Sequence, residues 1–298
     1  MTIVLVPAFW FVFPKSPTEA WFLTPEEKLM IQARYDSDPS WGNEDQFSWK
    51  ECAKAFVDPK WYLFFTYQFS VNISLYGLTT FFPAIIRGLG YTSVNANLMT
   101  VPVYLCSLVF FLVVAYFSDK TGVRGPFLAG SLLLLVIGYA ILISVDNLKV
   151  RFFACFGKFS FGYMFVTFAG CKLADSAIVA ALGIYPSTGL SMMWLQDNVS
   201  RHYKRATMVG FTLCLGNTAG VAVGQIFTAQ SAPRYIPGLS VGMGLALLAF
   251  CISIVLMVSF TVVNRKRAAK IAAAEEAGTP IQPNPELGDY DVHFKYSI

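Results

Sequence analysis

Gln68, Asn72 and Tyr76 recur every four residues inside one apolar stretch, with Tyr67 beside them. That spacing sets the three on one face of a helix. In an apolar solvent such a stripe must face protein or a cavity, where amide and phenol groups either bind a polar solute or bond to neighbouring helices. Tyr185 stands just before Pro186 and Gly189, a combination that lets a helix break and bend, and Trp194 offers an indole face for stacking; ordinary interface packing is the alternative. Asn217 and Gln225 fall on similar faces of a later helix, among Gly210, Gly216, Gly220 and Gly224, which equally suit close packing of small residues.

The chemistry on offer is hydrogen bonding and stacking, and no residue is assigned a catalytic role. His202 and His293 are far apart, Cys106, Cys155, Cys171, Cys214 and Cys251 fall in apolar sequence, and only Cys52 lies in polar sequence. Without a CxxC pair or a His/Cys cluster, no metal, cofactor or redox function is assigned, and the chain reads as a non-enzyme. One charged motif stands out, Asp119-Lys120-Thr-Gly122-Val-Arg124. Gly122 suits a sharp turn, and Asp119 at a helix end can exchange partners on a neighbouring helix when packed bodies rock. The alternative is a charged turn that only sets topology.

The elements that must carry these residues follow from composition. Of 298 residues, 55% are hydrophobic and 13% charged, about half the charged share of a soluble domain. Long apolar segments run at about Trp61 to Ile86, Leu98 to Phe117, Phe127 to Val145, Phe152 to Leu195, Thr207 to Gln230 and Leu239 to Val263. They predict an all-α integral membrane protein in contact with the lipid bilayer. A net charge of +4 from scattered basic residues excludes a nucleic-acid partner.

Residues 1–13 are too short to span and lack a signal peptide's basic start, so they read as the remnant of a preceding transmembrane helix. Residues 14–60 form a polar loop with a short helix after the capping sequence Thr24-Pro-Glu-Glu27. Residues 61–263 hold six spans, and 264–298 read as a helix end and disordered tail. Lys and Arg concentrate on the side of the 14–60 loop and the tail, which the positive-inside rule assigns to the cytoplasm. The plasma membrane is the expected location.

Phe22-Leu-Thr-Pro-Glu-Glu27, Phe47-Ser-Trp-Lys50, Asp58-Pro-Lys60, Leu75-Tyr-Gly-Leu78, Thr100-Val-Pro102, Ser118-Asp-Lys120, Gly183-Ile-Tyr-Pro186, Lys204-Arg-Ala206, Gly216-Asn217 and Ala232-Pro-Arg-Tyr235 occur in this order. Together they resemble the carboxyl-terminal half of a fungal anion:cation symporter, the allantoate permease group of the major facilitator superfamily, in its nicotinic acid transporter-like branch. The resemblance implies a six-helix bundle, the second of two, and proton symport of a small organic anion, a nicotinate-like carboxylate first, by alternating access. It makes Gln68, Asn72, Tyr76, Tyr185, Trp194, Asn217 and Gln225 substrate-binding candidates. It makes Asp119, Lys120, Gly122 and Arg124 a gating motif, with Ala115 and Val123 departing from the superfamily's pattern.

Two further departures shape the expectation. The superfamily places substrate between two bundles, so a chain with one bundle is incomplete and needs a dimer partner or the missing amino-terminal half. Residues 157–180 form an atypical insert, read either as a retained intron or as a genuine membrane-embedded or luminal extension that should distort the following helix. The second function class is a non-transporting membrane adaptor or an inert fragment of a transporter gene model.

Overall fold

The structure is a computed structural model that describes residues 14, 20–37, 48–87, 93–144, 175–228, 235–279 and 281–298. Among these every regular element is helical. Helix α1 (Pro25–Ser37) starts at a reciprocal capping box: Thr24 N donates to Glu27 Oε2 at 2.9 Å and Glu27 N donates to Thr24 Oγ1 at 3.4 Å. Helix α2 (Trp49–Val57) is capped by Ser48 and ends at Asp58, whose extended backbone (φ −77°, ψ 116°) suits the residue before a proline. Asp58 then opens α3 (Pro59–Arg87), its Oδ1 accepting from Lys60 N at 3.0 Å with Pro59 at the first helical position. One carboxylate thus closes one helix and starts the next.

The remaining helices are α4 (Ser93–Thr121), α5 (Gly125–Ser144), α6 (Asp175–Asp197), α7 (His202–Asn217), α8 (Ala219–Ile226) and α9 (Ile236–Glu276). Val103–Thr121, Gly125–Ser144, His202–Ile226 and Ile236–Glu276 are long and apolar enough to cross a membrane. Helices α3 and α6, roughly 43 and 35 Å long at 1.5 Å per residue, have the reach as well, but their interior polar residues dilute their hydropathy. The expected all-α membrane fold is what the chain adopts.

Helix α3 runs through the centre, its Phe64, Tyr67 and Val71 buried with Leu128, Leu132 and Leu135 of α5 and Ile184 and Leu190 of α6. Helices α5 and α6 touch backbone to backbone. A Cβ on Gly183 would lie 2.5 Å from Ser131 O and Leu135 N, and one on Gly138 would lie 2.6 Å from Ala180 N. Tyr139 OH donates to Ser74 O at 3.1 Å and Ser74 Oγ to Gly242 O at 3.3 Å, tying α5, α3 and α9. The opposite condition holds on α4, where Leu105, Leu108, Leu112, Val113 and Tyr116 stay exposed, a surface for lipid or another apolar body.

Helix α6 starts at Asp175, so residues 175–180 of the expected insert are helical, and Ala180 sits against Gly138 in the α5–α6 interface. Residues 1–13 and 157–174 lie outside the described residues. One expectation changes, the disordered tail that should follow a helix end within 264–298. Helix α9 continues to Glu276, as the Ala- and Lys-rich run after Asn264 favours. Gly278 turns the chain at φ +70°, and residues 281–298, with a 3-10 segment at Pro285–Tyr290, return to the bundle and bury Asp289 and Tyr296. Composition read this stretch as disordered because its few buried side chains are polar or aromatic and find their partners far away in sequence.

Candidate functional site

The stripe on α3 lies in the middle turns of the helix and is buried, with Gln68 1% and Asn72 3% exposed. Gln68 Nε2 donates to Asn72 Oδ1 at 3.2 Å, and Ser191 Oγ of α6 donates to Gln68 Oε1 at 2.8 Å. One turn further, Tyr76 OH donates to Asn217 Oδ1 at 2.8 Å on a more open side. Helix α7 gets this close because residue 216 is glycine: a Cβ there would lie 3.0 Å from Gln68 Cγ and 3.1 Å from Asn72 Nδ2. Asn217 is the last residue of α7, and Thr218 separates it from α8, its N–H turning back to Leu215 O at 3.1 Å. Thr218 keeps a right-handed helical backbone (φ −62°, ψ −16°) and its carbonyl accepts from Val221 N at 3.0 Å, so His202–Ile226 continues as one span that tightens by a turn where it meets the stripe. The group offers amide and phenol hydrogen bonds at mid-span.

Four of the seven binding candidates, Gln68, Asn72, Tyr76 and Asn217, come together in this way. Tyr185 lies apart, in a small apolar pocket with Leu75, Leu78, Thr79, Tyr104 and Ile184, its ring 6.2 Å from that of Tyr104 and edge-on to it. Trp194 is 1% exposed; Phe64 and Phe260 stand edge-on at 5.5 and 5.6 Å, and its Nε1 donates to Ser297 O of the tail at 3.0 Å. The expected stacking surface is thus an anchor in the core. Gln225 is exposed on α8, outside the group. The glycine stripe also divides: Gly210 and Gly224 face open space, Gly220 has Tyr76 at ordinary contact distance, and Gly216 makes the close approach.

The charged turn between α4 and α5 is built around Arg124. Its guanidinium pairs with Asp119 at 3.0 Å within the turn and with Asp197 at the end of α6, while Gly122 takes φ +67°. Asp119 was expected to reach a neighbouring helix, but Arg124 makes that link. Lys120 lies with its Nζ 6.0 Å from the Tyr116 ring centre.

Sequence reasoning missed a second charged group at the same end of the bundle. Lys204 Nζ of α7 lies 2.7 Å from Asp58 Oδ2 and 2.8 Å from Asp289 Oδ1 of the tail. Lys60 pairs with Asp289 as well, lies 3.5 Å from Asp58 Oδ2 and donates to Tyr296 OH at 3.0 Å. Two carboxylates and two ammonium groups balance just outside the spans. Burial works against the Asp58 charge, yet Lys60 and Lys204 outweigh it and hold the carboxyl below its usual range. Burial likewise opposes the Lys60 charge, and Asp289, Tyr296 and Asp58 overcome it, holding the ammonium above its usual range. Asp58-Pro-Lys60 was visible as a motif, but nothing local pointed to Lys204 or Asp289 as its partners.

A family model, Major Facilitator Superfamily, matches residues 1–177. The chain belongs to that superfamily. Among similar proteins, an uncharacterised transporter of Schizosaccharomyces pombe is 33% identical over 298 residues, 100% of this chain and 54% of the relative. The high-affinity nicotinic acid transporter of Saccharomyces cerevisiae is 31% identical over 99% of this chain and 51% of its own length. A major facilitator-type transporter of Emericella nidulans is 32% identical over 80% of this chain and 44% of its own length. The chain spans about half the length of the curated relatives it matches. No solved structure matches it. A major facilitator chain with apolar spanning helices is an integral membrane protein, and its named relatives are transporters.

Proposed function

We propose that this chain supplies one six-helix bundle, the carboxyl-terminal one, of a proton-coupled transporter for a small organic anion, a nicotinate-like carboxylate first, in the allantoate permease group. The observation that carries this reading is the mid-span chain Ser191–Gln68–Asn72 with the neighbouring Tyr76–Asn217 pair beside the tightened turn at Thr218. Every polar group in it is neutral. A carboxylate cannot enter an apolar span at acceptable cost with its charge unbalanced, whereas a carboxylate and a proton together carry no net charge. Neutral donors suit that pair. The 31% identity to a nicotinic acid transporter supports the substrate class. Alternating access needs a facing bundle, which would complete the site and carry the proton. The excess of basic residues at the Lys60 and Lys204 end supports a cytoplasmic orientation of that end, in a protein proposed for the plasma membrane.

The test is uptake of labelled nicotinate by cells expressing this chain alone or fused behind an amino-terminal bundle from a full-length relative. Only the fusion should transport, and Gln68→Ala or Asn72→Ala within it should cut kcat/KM by about tenfold or more. Unchanged kcat/KM in both variants would sink the site.

A further inference from the structure

Residues 281–298 are held by a set of groups that all reach for peptide backbone. Asn264 Nδ2 donates to Tyr296 O at 2.8 Å and Asn264 Oδ1 accepts from Tyr296 N at 2.9 Å, so one side chain pairs with the strap as a neighbouring strand would. Arg267 donates to Phe294 O at 2.6 Å and to Asp289 O at 2.8 Å. Trp194 Nε1 takes Ser297 O, and the backbone N–H of Arg124 donates to Ile298 O at 2.7 Å. Two specific pockets complete the pattern: Asp289 enters between Lys60 and Lys204, and the Tyr296 ring stacks on Phe260 at 4.8 Å. Main-chain hydrogen bonds for affinity with spaced side-chain pockets for specificity are how proteins bind extended peptides.

The same contacts join several elements at one end of the bundle, adding to the direct links Lys204–Asp58 between α7 and the start of α3 and Arg124–Asp197 between the α4–α5 turn and α6. Lys60 starts α3, Trp194 ends α6, Lys204 starts α7, Asn264 and Arg267 lie on α9, and Arg124 closes the α4–α5 turn. Leu287 and Tyr290 remain half exposed, while Tyr296 is buried and Phe294 packs against the core. A segment anchored at a few points opens at lower cost than a helix packed along its length.

We infer that residues 281–298 are a releasable intramolecular ligand, an acidic peptide docked through Asp289 in a site made by Lys60, Lys204, Arg267, Asn264 and Trp194, and that docking holds the ends of α3, α6, α7 and α9 together. Release frees those ends. That the restrained motion is the opening of a transport pathway rests on the function proposed above; docking itself does not.

Hydrogen exchange on the full chain in detergent reads docking without any uptake. Asp289→Asn keeps the shape and removes the charge, so exchange over residues 291–298 should speed up by about 10- to 100-fold, the loss of a charge-assisted hydrogen bond. Amides at the starts of α3 and α7 should speed up with them, while those of buried α5 around Leu132 and Leu135 stay unchanged and show that the fold survives. Arg267→Gln, which removes two bonds to strap carbonyls and leaves both lysines in place, should act in the same direction. Tail exchange unaltered in both variants, or a freed tail with helix ends as protected as before, would overturn the inference. Because no substrate enters the measurement, an absence of nicotinate uptake and an absence of docking are told apart.

Discussion

The polar group at mid-span and the charged group at the end of the bundle are both buried, and they solve burial differently. Around Gln68 and Asn72 the chain uses neutral amides and hydroxyls, whose desolvation costs a few kcal/mol each and is offset one hydrogen bond at a time. Around Asp58 and Asp289 it uses full charges, tolerable only because two lysines balance two carboxylates. In the first arrangement Ser191 Oγ also reaches Thr188 O, so its bond to Gln68 can be given up with the hydroxyl still paired, as the proposed exchange of a solute requires. The second cannot lose a member cheaply, which suits a fixed clamp or one released as a unit.

The sharpest way to break this contrast is to remove one charge and one amide and compare. Lys204→Met leaves Asp58 and Asp289 sharing Lys60 alone, and should destabilise the protein by about 3–5 kcal/mol, as loss of one member of a buried ion pair does. Thermal unfolding in detergent measures it. A loss no larger than that of an amide variant would mean that the charged end is wetter than its burial implies.

Spacing at the α5–α6 contact comes next. Gly183→Val places a side chain against Ser131 O and Leu135 N, where the backbone must move. The expected cost is about 1–3 kcal/mol. Because α6 carries both Ser191 and Trp194, the shift should loosen the mid-span group and the strap together, read as faster exchange in both. An effect confined to one of them would show that the two regions are mechanically separate.

What could be read in advance divides along the same line. The α3 stripe was legible because helical periodicity reports residues that share a face, and Gln68, Asn72 and Tyr76 share one. The capping box at Thr24 and Glu27 ahead of α1 was legible because capping is local. Lys204 lies 146 residues from Asp58, and Asp289 lies 229 from Lys60, so no local window on the sequence contains either of those pairs. The tail misled for a related reason: its Pro, Gly and Glu content predicts disorder only for a segment that must bury itself, and this one borrows its partners from the bundle. Trp194 was singled out for its aromatic face, yet its ring N–H commits it to Ser297, a contact 103 residues away.

A smaller effect on stability tests the mid-span group. Gln68→Leu removes the bonds to Asn72 and Ser191 at near-constant volume, and Ser191 keeps Thr188 O at 2.8 Å. The expected loss is about 0.5–1.5 kcal/mol in unfolding free energy. In the two-bundle fusion, uptake should fall far more than stability. Uptake that fell only in step with stability would reduce the stripe to a helix fastener and erase the functional half of the contrast.

The smallest expected effect is a null over ordinary pH, and its sign can be derived. The Asp58 carboxyl is lowered, so its contribution is present above the unfolded value of about 3.9 and is lost only as pH falls through the lower folded value. The Lys60 ammonium is raised, so its contribution is present below about 10.4 and is lost only as pH rises through the higher folded value. Lys204, Asp289, Arg267, Tyr290 and Tyr296 are the other titratable groups facing the pair, and carboxyl, phenol, amine and guanidinium side chains have ordinary values outside the range of about pH 5 to 9. Protection of residues 291–298, corrected for intrinsic exchange, should therefore stay flat from about pH 5 to 9. Within the strap itself, His293 Nε2 lies 2.9 Å from Ile281 O. A step within that range would move the clamp's weight away from the lysine–aspartate charges, and His293→Gln, which keeps a side-chain donor near Ile281 O, tests whether that bond carries it.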